Sequence, residues 1–159
     1  MEFFTIGVYN STEHEFFQKL INNKIDTFCD IRQRRAVRGS KYAFVNSNRL
    51  QNKLTELDIK YGHILKLAPS VEIRELQKQV DLQKRELKRE RQSLGEVFST
   101  EYKKQILENF DFETFIESLE NVGASRVVLF CVEERPEACH RSIVSNKLQD
   151  KYNYKVTHI

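Results

Sequence analysis

The stretch Arg126–Ser142, RVVLFCVEERPEACHRS, decides how this chain is read. Val127 to Cys131 is an unbroken apolar run, which predicts a strand buried on both faces, as in a parallel sheet. The run stops at Glu133-Glu134, turns through Arg135-Pro136 and resumes as a helical pattern at about Cys139, with Ile143, Val144 and Leu148 on its apolar face. Cys139, His140 and Arg141 therefore fall on the first turn of a helix just beyond the carboxyl end of a strand. Unpaired backbone N–H groups and the positive end of the helix dipole converge on an anion at such a position. A thiol placed there has its pKa lowered and becomes a nucleophile. Open α/β sheets bind ligands along this edge.

Outward from this element, strand-like and helix-like segments alternate. Phe3–Val8 reads as the first strand, and Thr12 with Glu15 makes a capping box for a helix whose apolar face is Phe16, Phe17, Leu20 and Ile21. Asp26–Ile31 is the second strand. It runs into a basic loop, Arg32–Tyr42, whose only strong turn signal is Gly39-Ser40. Asn46 or Ser47 caps a helix carrying Leu50, Leu54 and Leu57, and Ile59–Leu65 gives a weaker third strand.

Between Leu65 and Ser125 the chain is far longer than one crossover needs. Residues 66–98 read as a charged helical insertion started by Pro69-Ser70. Ile73, Val80, Leu87 and Leu94 recur every seven residues along it, a narrow stripe on a long solvated helix, with Gly95 as the break. That stripe leaves open a homodimer seam through residues 72–94. A helix from about Ser99 follows. Another is capped by Asp111, carries Phe112, Phe115, Ile116, Leu119 and Val122, and is stopped by Gly123. Lys155–Ile159 is a short fifth strand. The sum is β-α-β-α-β-(helical insertion)-β-α-β, an α/β chain with a mainly parallel five-stranded sheet and helices on both faces, forming a single domain over residues 1–159. The expected strand order is 3-2-1-4-5, with a switch point between strands 1 and 4.

The motif C-V-E-E-R-P-E-A-C-H-R at Cys131–Arg141, followed by an apolar helix and a terminal V-T-H-I, resembles domain-of-unknown-function family 488. T-I-G-V-Y-N at Thr5–Asn10, C-D-I-R at Cys29–Arg32 and Y-G-H-I-L-K-L-A-P-S-V-E-I-R at Tyr61–Arg74 carry the same resemblance, which spans nearly the whole chain. It implies a three-layer, Rossmann-like domain with a site at the Cys-His-Arg element, and it implies no particular reaction.

Composition narrows the classes. With 159 residues, 40% of them hydrophobic, the chain buries a core without staples. No stretch approaches a membrane span, and Met1-Glu2-Phe3-Phe4 lacks the basic start and apolar run of a signal peptide. Three cysteines cannot all pair, and Cys29 and Cys131 sit in strand-like runs, so reduced thiols and a cytoplasmic setting are expected. The net charge of +3 is mild. Its distribution is not: Ile31–Thr55 holds no Asp or Glu but contains Arg32, Arg34, Arg35, Arg38, Lys41, Arg49 and Lys53, a field that attracts anions.

One parallel sheet brings the carboxyl ends of its strands to one side. Asp30, Glu133, Cys139 and His140 are therefore the expected catalytic residues, and Asn10, Arg32, Arg38 and Arg141 the expected anion-binding ones. Arg32 and Arg141 offer bidentate forks to a phosphate or carboxylate, unless Arg141 is a structural clasp on Glu133 or Asp30. His63 and His158 read as hydrogen-bonded structural histidines, with His158 a second-tier site residue. The spacing C-x7-C-H matches no closed zinc site, so no metal is expected and no cofactor is required. The expected function is an enzyme acting on a nucleotide, nucleic acid or other phosphate-bearing substrate. Two alternatives stay open: a non-catalytic nucleotide- or nucleic-acid-binding module, and a cysteine-dependent transferase of the rhodanese or phosphatase kind. The second departs from those enzymes because their phosphate loop runs from Cys to Arg over several residues, whereas His140-Arg141 follow Cys139 at once, and no glycine-rich cradle follows Cys131.

Overall fold

A computed structural model describes the backbone of residues 1–159 and every side chain but that of Arg89. Its sheet has five strands: β1 (Glu2–Ile6), β2 (Thr27–Asp30), β3 (Lys60–His63), β4 (Arg126–Phe130) and β5 (Val156–His158). All pair in parallel, and their order is β3-β2-β4-β1-β5. The expected order exchanged β1 and β4. Both strands are apolar on both faces, so burial patterning does not say which lies in the middle. The long connection before β4 lets the chain return and fill the gap between β2 and β1.

Being central, β4 buries Val127, Val128, Leu129 and Phe130 completely. Its register sets Asp30 and Ile6 on either side of Phe130. Helix α1 (Glu13–Asn22) starts at the Thr12–Glu15 capping box and lays Phe16 against Phe28, Phe44 and Phe130. Helix α2 (Ser47–Glu56) buries Leu50 and Leu54. Asn46 precedes it without capping it: the Asn46 Oδ1 atom accepts the Val37 N–H at 2.7 Å and so ties down the basic loop.

The charged insertion is not one long helix. Helix α3 (Val71–Lys84) ends where Arg85 takes a left-handed conformation, φ 53°. The seven-residue stripe is therefore no continuous seam: Ile73 is buried and Leu87 is exposed. The chain folds back so that Arg91 reaches Asp81 with Nε at 3.0 Å and with Nη2, while Gln77 donates to the same carboxylate at 2.7 Å. Helix α4 (Glu96–Tyr102) runs on through a π turn at Lys103–Leu107. Helix α5 (Phe112–Asn121) is capped by Asp111 as expected and closes at Gly123, φ 70°. Helix α6 (His140–Tyr152) follows β4 and packs on β1, β4 and β5. No helix among the described residues is long and apolar enough to cross a membrane.

Candidate functional site

The carboxyl ends of β2, β4 and β1 open into a cavity of about 880 Å³. Tyr9 follows β1, Arg32 follows β2, Cys131 and Glu133 follow β4, and Cys139 and His140 begin α6; all line it. The opposite wall is the insertion, which supplies Arg74 and Lys78 from α3, then Lys88 and Arg91. With Arg34 and Arg38 from the basic loop, seven cationic side chains face two carboxylates, Asp81 and Glu133, among the described residues. Both carboxylates are already engaged: Asp81 by Arg91, and Glu133 by Lys88 at 3.2 Å and Arg91 at 3.8 Å. The cavity's field is therefore positive.

Arg32 is held rigidly in the wall. Its Nε and Nη2 donate to the two oxygens of fully buried Asp30 at 2.8 and 2.7 Å, and Nη2 also donates to the Val45 carbonyl at 3.0 Å. The guanidinium lies over the Phe130 ring at 4.5 Å, and the Tyr61 hydroxyl donates to Asp30 at 3.0 Å. Arg32 Nη1 remains buried without a partner. An unsatisfied buried donor costs about 1–3 kcal/mol, more when charged, until an acceptor meets it. Asp30 thus stands behind Arg32 as its orienting partner and does not line the cavity.

Cys131, Cys139 and His140 form a buried cluster. His140 Nδ1 lies 3.8 Å from each sulfur, and His140 Nε2 lies 3.1 Å from the Ile31 carbonyl. A carbonyl only accepts, so Nε2 carries a proton. The N-cap residue of α6, Cys139, is extended, with φ −138° and ψ 143°. That non-helical backbone lets the adjacent Cys139 and His140 side chains face one point, which the spacing argument against a metal did not foresee.

Burial alone would push the Cys139 thiol up, but the Cys131 hydrogen bond and the nearby His140 and Arg141 charges hold it well below the usual thiol range. The Cys139 sulfur, by the same hydrogen bond, together with burial, pushes Cys131 well up. His140 would be lowered by burial and is raised by the Cys139 thiolate. Cys131 Sγ is 3.3 Å from Glu133 Oε2, so its proton also has a carboxylate to meet.

Two expected anion ligands lie elsewhere. Arg141 is buried and donates Nη1 to the Glu133 carbonyl and Nη2 to the Glu134 carbonyl at 2.7 Å, while its Nε is buried without a partner among the described residues and the residue does not line the cavity. It is a clasp on the turn after β4, as the alternative reading had it, though its partners are carbonyls. Asn10 has φ 61° and donates to Glu134 at 2.6 Å beside a separate, smaller hollow of about 210 Å³. The single cleft expected for Asn10, Asp30, Arg32 and Arg141 therefore reduces to Arg32 among those four. Arg38 does line the main cavity. His63 Nε2 donates to the Arg32 carbonyl at 2.9 Å, and His158 bonds Thr5 at 2.7 Å.

Sequence reasoning missed Tyr9, Arg74, Lys78, Lys88 and Arg91 as wall residues. A mixed-sign charged run reads as a solvated face, and only the fold-back at Arg85 turns it inward.

No curated protein and no solved structure matches this chain. One family model does, that of the domain of unknown function DUF488, over residues 12–148. The match takes in the basic loop, the insertion and the whole Cys131–Arg141 element, so the chain belongs to the DUF488 family.

Proposed function

We propose that this protein is an enzyme acting on a phosphate-bearing substrate, a nucleotide or nucleic acid being the class that the basic loop suits best. The observation that carries the reading is Arg32 Nη1, a charged donor buried in the cavity wall with no acceptor of its own. Asp30 fixes the guanidinium plane, so a phosphate oxygen meeting Nη1 binds a preorganised group at little entropic cost. Arg34 and Arg38 extend the positive wall outward, where a second phosphate or a polymer backbone would run. Cys139 and His140 supply the reactive groups at the inner end of the same space. A binding module has no need of a perturbed cysteine–histidine pair beside its anion site, and this favours the enzyme.

The lowered Cys139 thiol favours a second reading, cysteine-dependent group transfer. The test for both is turnover. Nucleoside mono-, di- and triphosphates, sugar phosphates and short oligonucleotides are incubated with the protein and followed by phosphorus NMR and intact-mass spectrometry. A substrate converted by the parent and left unconverted by His140→Asn supports the enzyme. A covalent adduct mapped to Cys139 selects the transfer reading. Tight binding with no conversion of any member overturns the enzyme in favour of the module.

A further inference from the structure

We propose that Cys131 Sγ, Cys139 Sγ and His140 Nδ1 hold a soft divalent metal ion of the zinc class, with its fourth position open to the cavity. The inference deepens the reading of that cavity as a catalytic site by naming what sits at its inner end. The three ligand atoms lie within 4.8 Å of one another. Each sulfur is 3.8 Å from Nδ1. Tetrahedral zinc at ordinary bond lengths separates sulfur from nitrogen by about 3.6 Å and sulfur from sulfur by about 3.8 Å. The side chains are thus within a few tenths of an ångström of a coordinating arrangement for both Cys–His pairs.

The surroundings match the donor set. His140 Nε2–H donates to the Ile31 carbonyl, which leaves Nδ1 facing the sulfurs, free to ligate an ion that displaces its proton. This is the outer-shell bond by which ligating histidines are held in tautomer and orientation. The ring is braced further by Tyr102, 5.4 Å away centroid to centroid, whose hydroxyl is tied to the Leu67 carbonyl at 2.5 Å. All three ligand residues are buried, yet all three line the cavity, so an incoming oxygen reaches the fourth position from that side. Two sulfurs and one imidazole select zinc-like ions over magnesium or calcium. Three protein ligands with one open position is the pattern of catalytic sites, whereas structural sites close with four. An ion there would polarise a phosphoryl or carbonyl oxygen of a substrate anchored on Arg32.

The test uses the full chain, purified under reducing conditions. Metal content is measured by elemental mass spectrometry. The protein is then stripped with chelator and titrated with zinc against a chromophoric competitor, and separately with cobalt. Expected are one ion per chain, cobalt bands of thiolate-to-metal charge transfer, and zinc protection of Cys131 and Cys139 from alkylation while Cys29 labelling is unchanged. Cys131→Ser and His140→Ala should each weaken zinc at least ~100-fold. If those variants do not fold, the cobalt spectrum and the protection pattern of the parent still decide.

Reduced parent protein that takes up no ion, or that binds zinc without protecting the two cysteines, overturns the proposal. So does a Cys131–Cys139 disulfide whose reduction yields no metal uptake. Binding of inorganic phosphate is measured on the same metal-free samples. Phosphate binding without metal uptake removes the ion and leaves the cavity reading intact, and metal uptake without phosphate binding does the reverse.

Discussion

Arg32 and Asp30 form a fully buried bidentate pair, with N···O distances of 2.8 and 2.7 Å, and the pair leaves one guanidinium nitrogen unspent. Residues at the end of one strand thus make a structural lock and leave one donor for the proposed anion. Removing the carboxylate charge should uncover the cost of a lone buried cation. Asp30→Asn is expected to lose about 3 kcal/mol or more of unfolding free energy, read from urea denaturation. Parent-like stability of that variant would mean the guanidinium is solvated in solution.

Gly7, just after β1, and Arg141, in the first turn of α6, both pack against the Glu133 carbonyl in the turn after β4. A Cβ at Gly7 would fall inside the Glu133 carbonyl oxygen, a backbone atom that cannot swing aside, and would also crowd Arg141 Nη1. Gly7→Ala should therefore destabilise by about 1–3 kcal/mol or abolish folding, as overpacking does in a tight core. Arg141→Ala should lower the melting temperature sharply because it strands the Glu133 and Glu134 carbonyls. Ligand affinity measured on whatever folds should change less than stability does. A variant of normal stability that has lost anion binding would return Arg141 to the site.

How much of this was legible in the sequence follows the period of each signal. The apolar run of β4, the Thr12 box and the Asp111 cap are local, so they stood where expected. The strand order is non-local, and β1 and β4 carry the same pattern, so their exchange was invisible. That Cys139 and His140 lie at the carboxyl edge of the sheet was readable from their place after a strand. Their convergence with Cys131 depends on one extended residue, Cys139, whose dihedrals no spacing rule reports. The cationic wall from α3 to Arg91 was hidden because charge alternation looks the same on a solvated helix and on one folded over a cavity.

The wall depends on the buried Arg91–Asp81–Gln77 network. Asp81→Ala should detach residues 85–95 from the cavity while the sheet stays intact. Hydrogen exchange is expected to rise in that segment by at least tenfold and to stay unchanged in β1, β2 and β4. Uniform deprotection would show that the insertion is part of the global folding unit.

Alkaline pH offers a different check. Burial, with the Asp30 charge added, pushes the Cys29 thiol from 9.0 up to about 12. Burial likewise pushes Tyr61 up to about 12. The unfolded chain gives up these protons first, so their contribution is fully present below the unfolded values and is lost as pH rises toward about 12. Urea midpoints should fall steadily from pH 9 upward, and Cys29→Ala should make the fall shallower. A flat profile across that range would contradict the burial of both groups.

The most direct test of the central claim is a calorimetric titration of the parent and of Arg32→Lys with pyrophosphate and with a nucleoside diphosphate, each at two salt concentrations. A lysine keeps the charge but lacks the fork that reaches Asp30 and the ligand together. The account predicts a single site in the parent and a loss of tenfold or more in affinity for the variant, equal to about 1.4 kcal/mol or more. Equal affinities in two well-folded proteins, or no binding to the parent at either salt concentration, would contradict it.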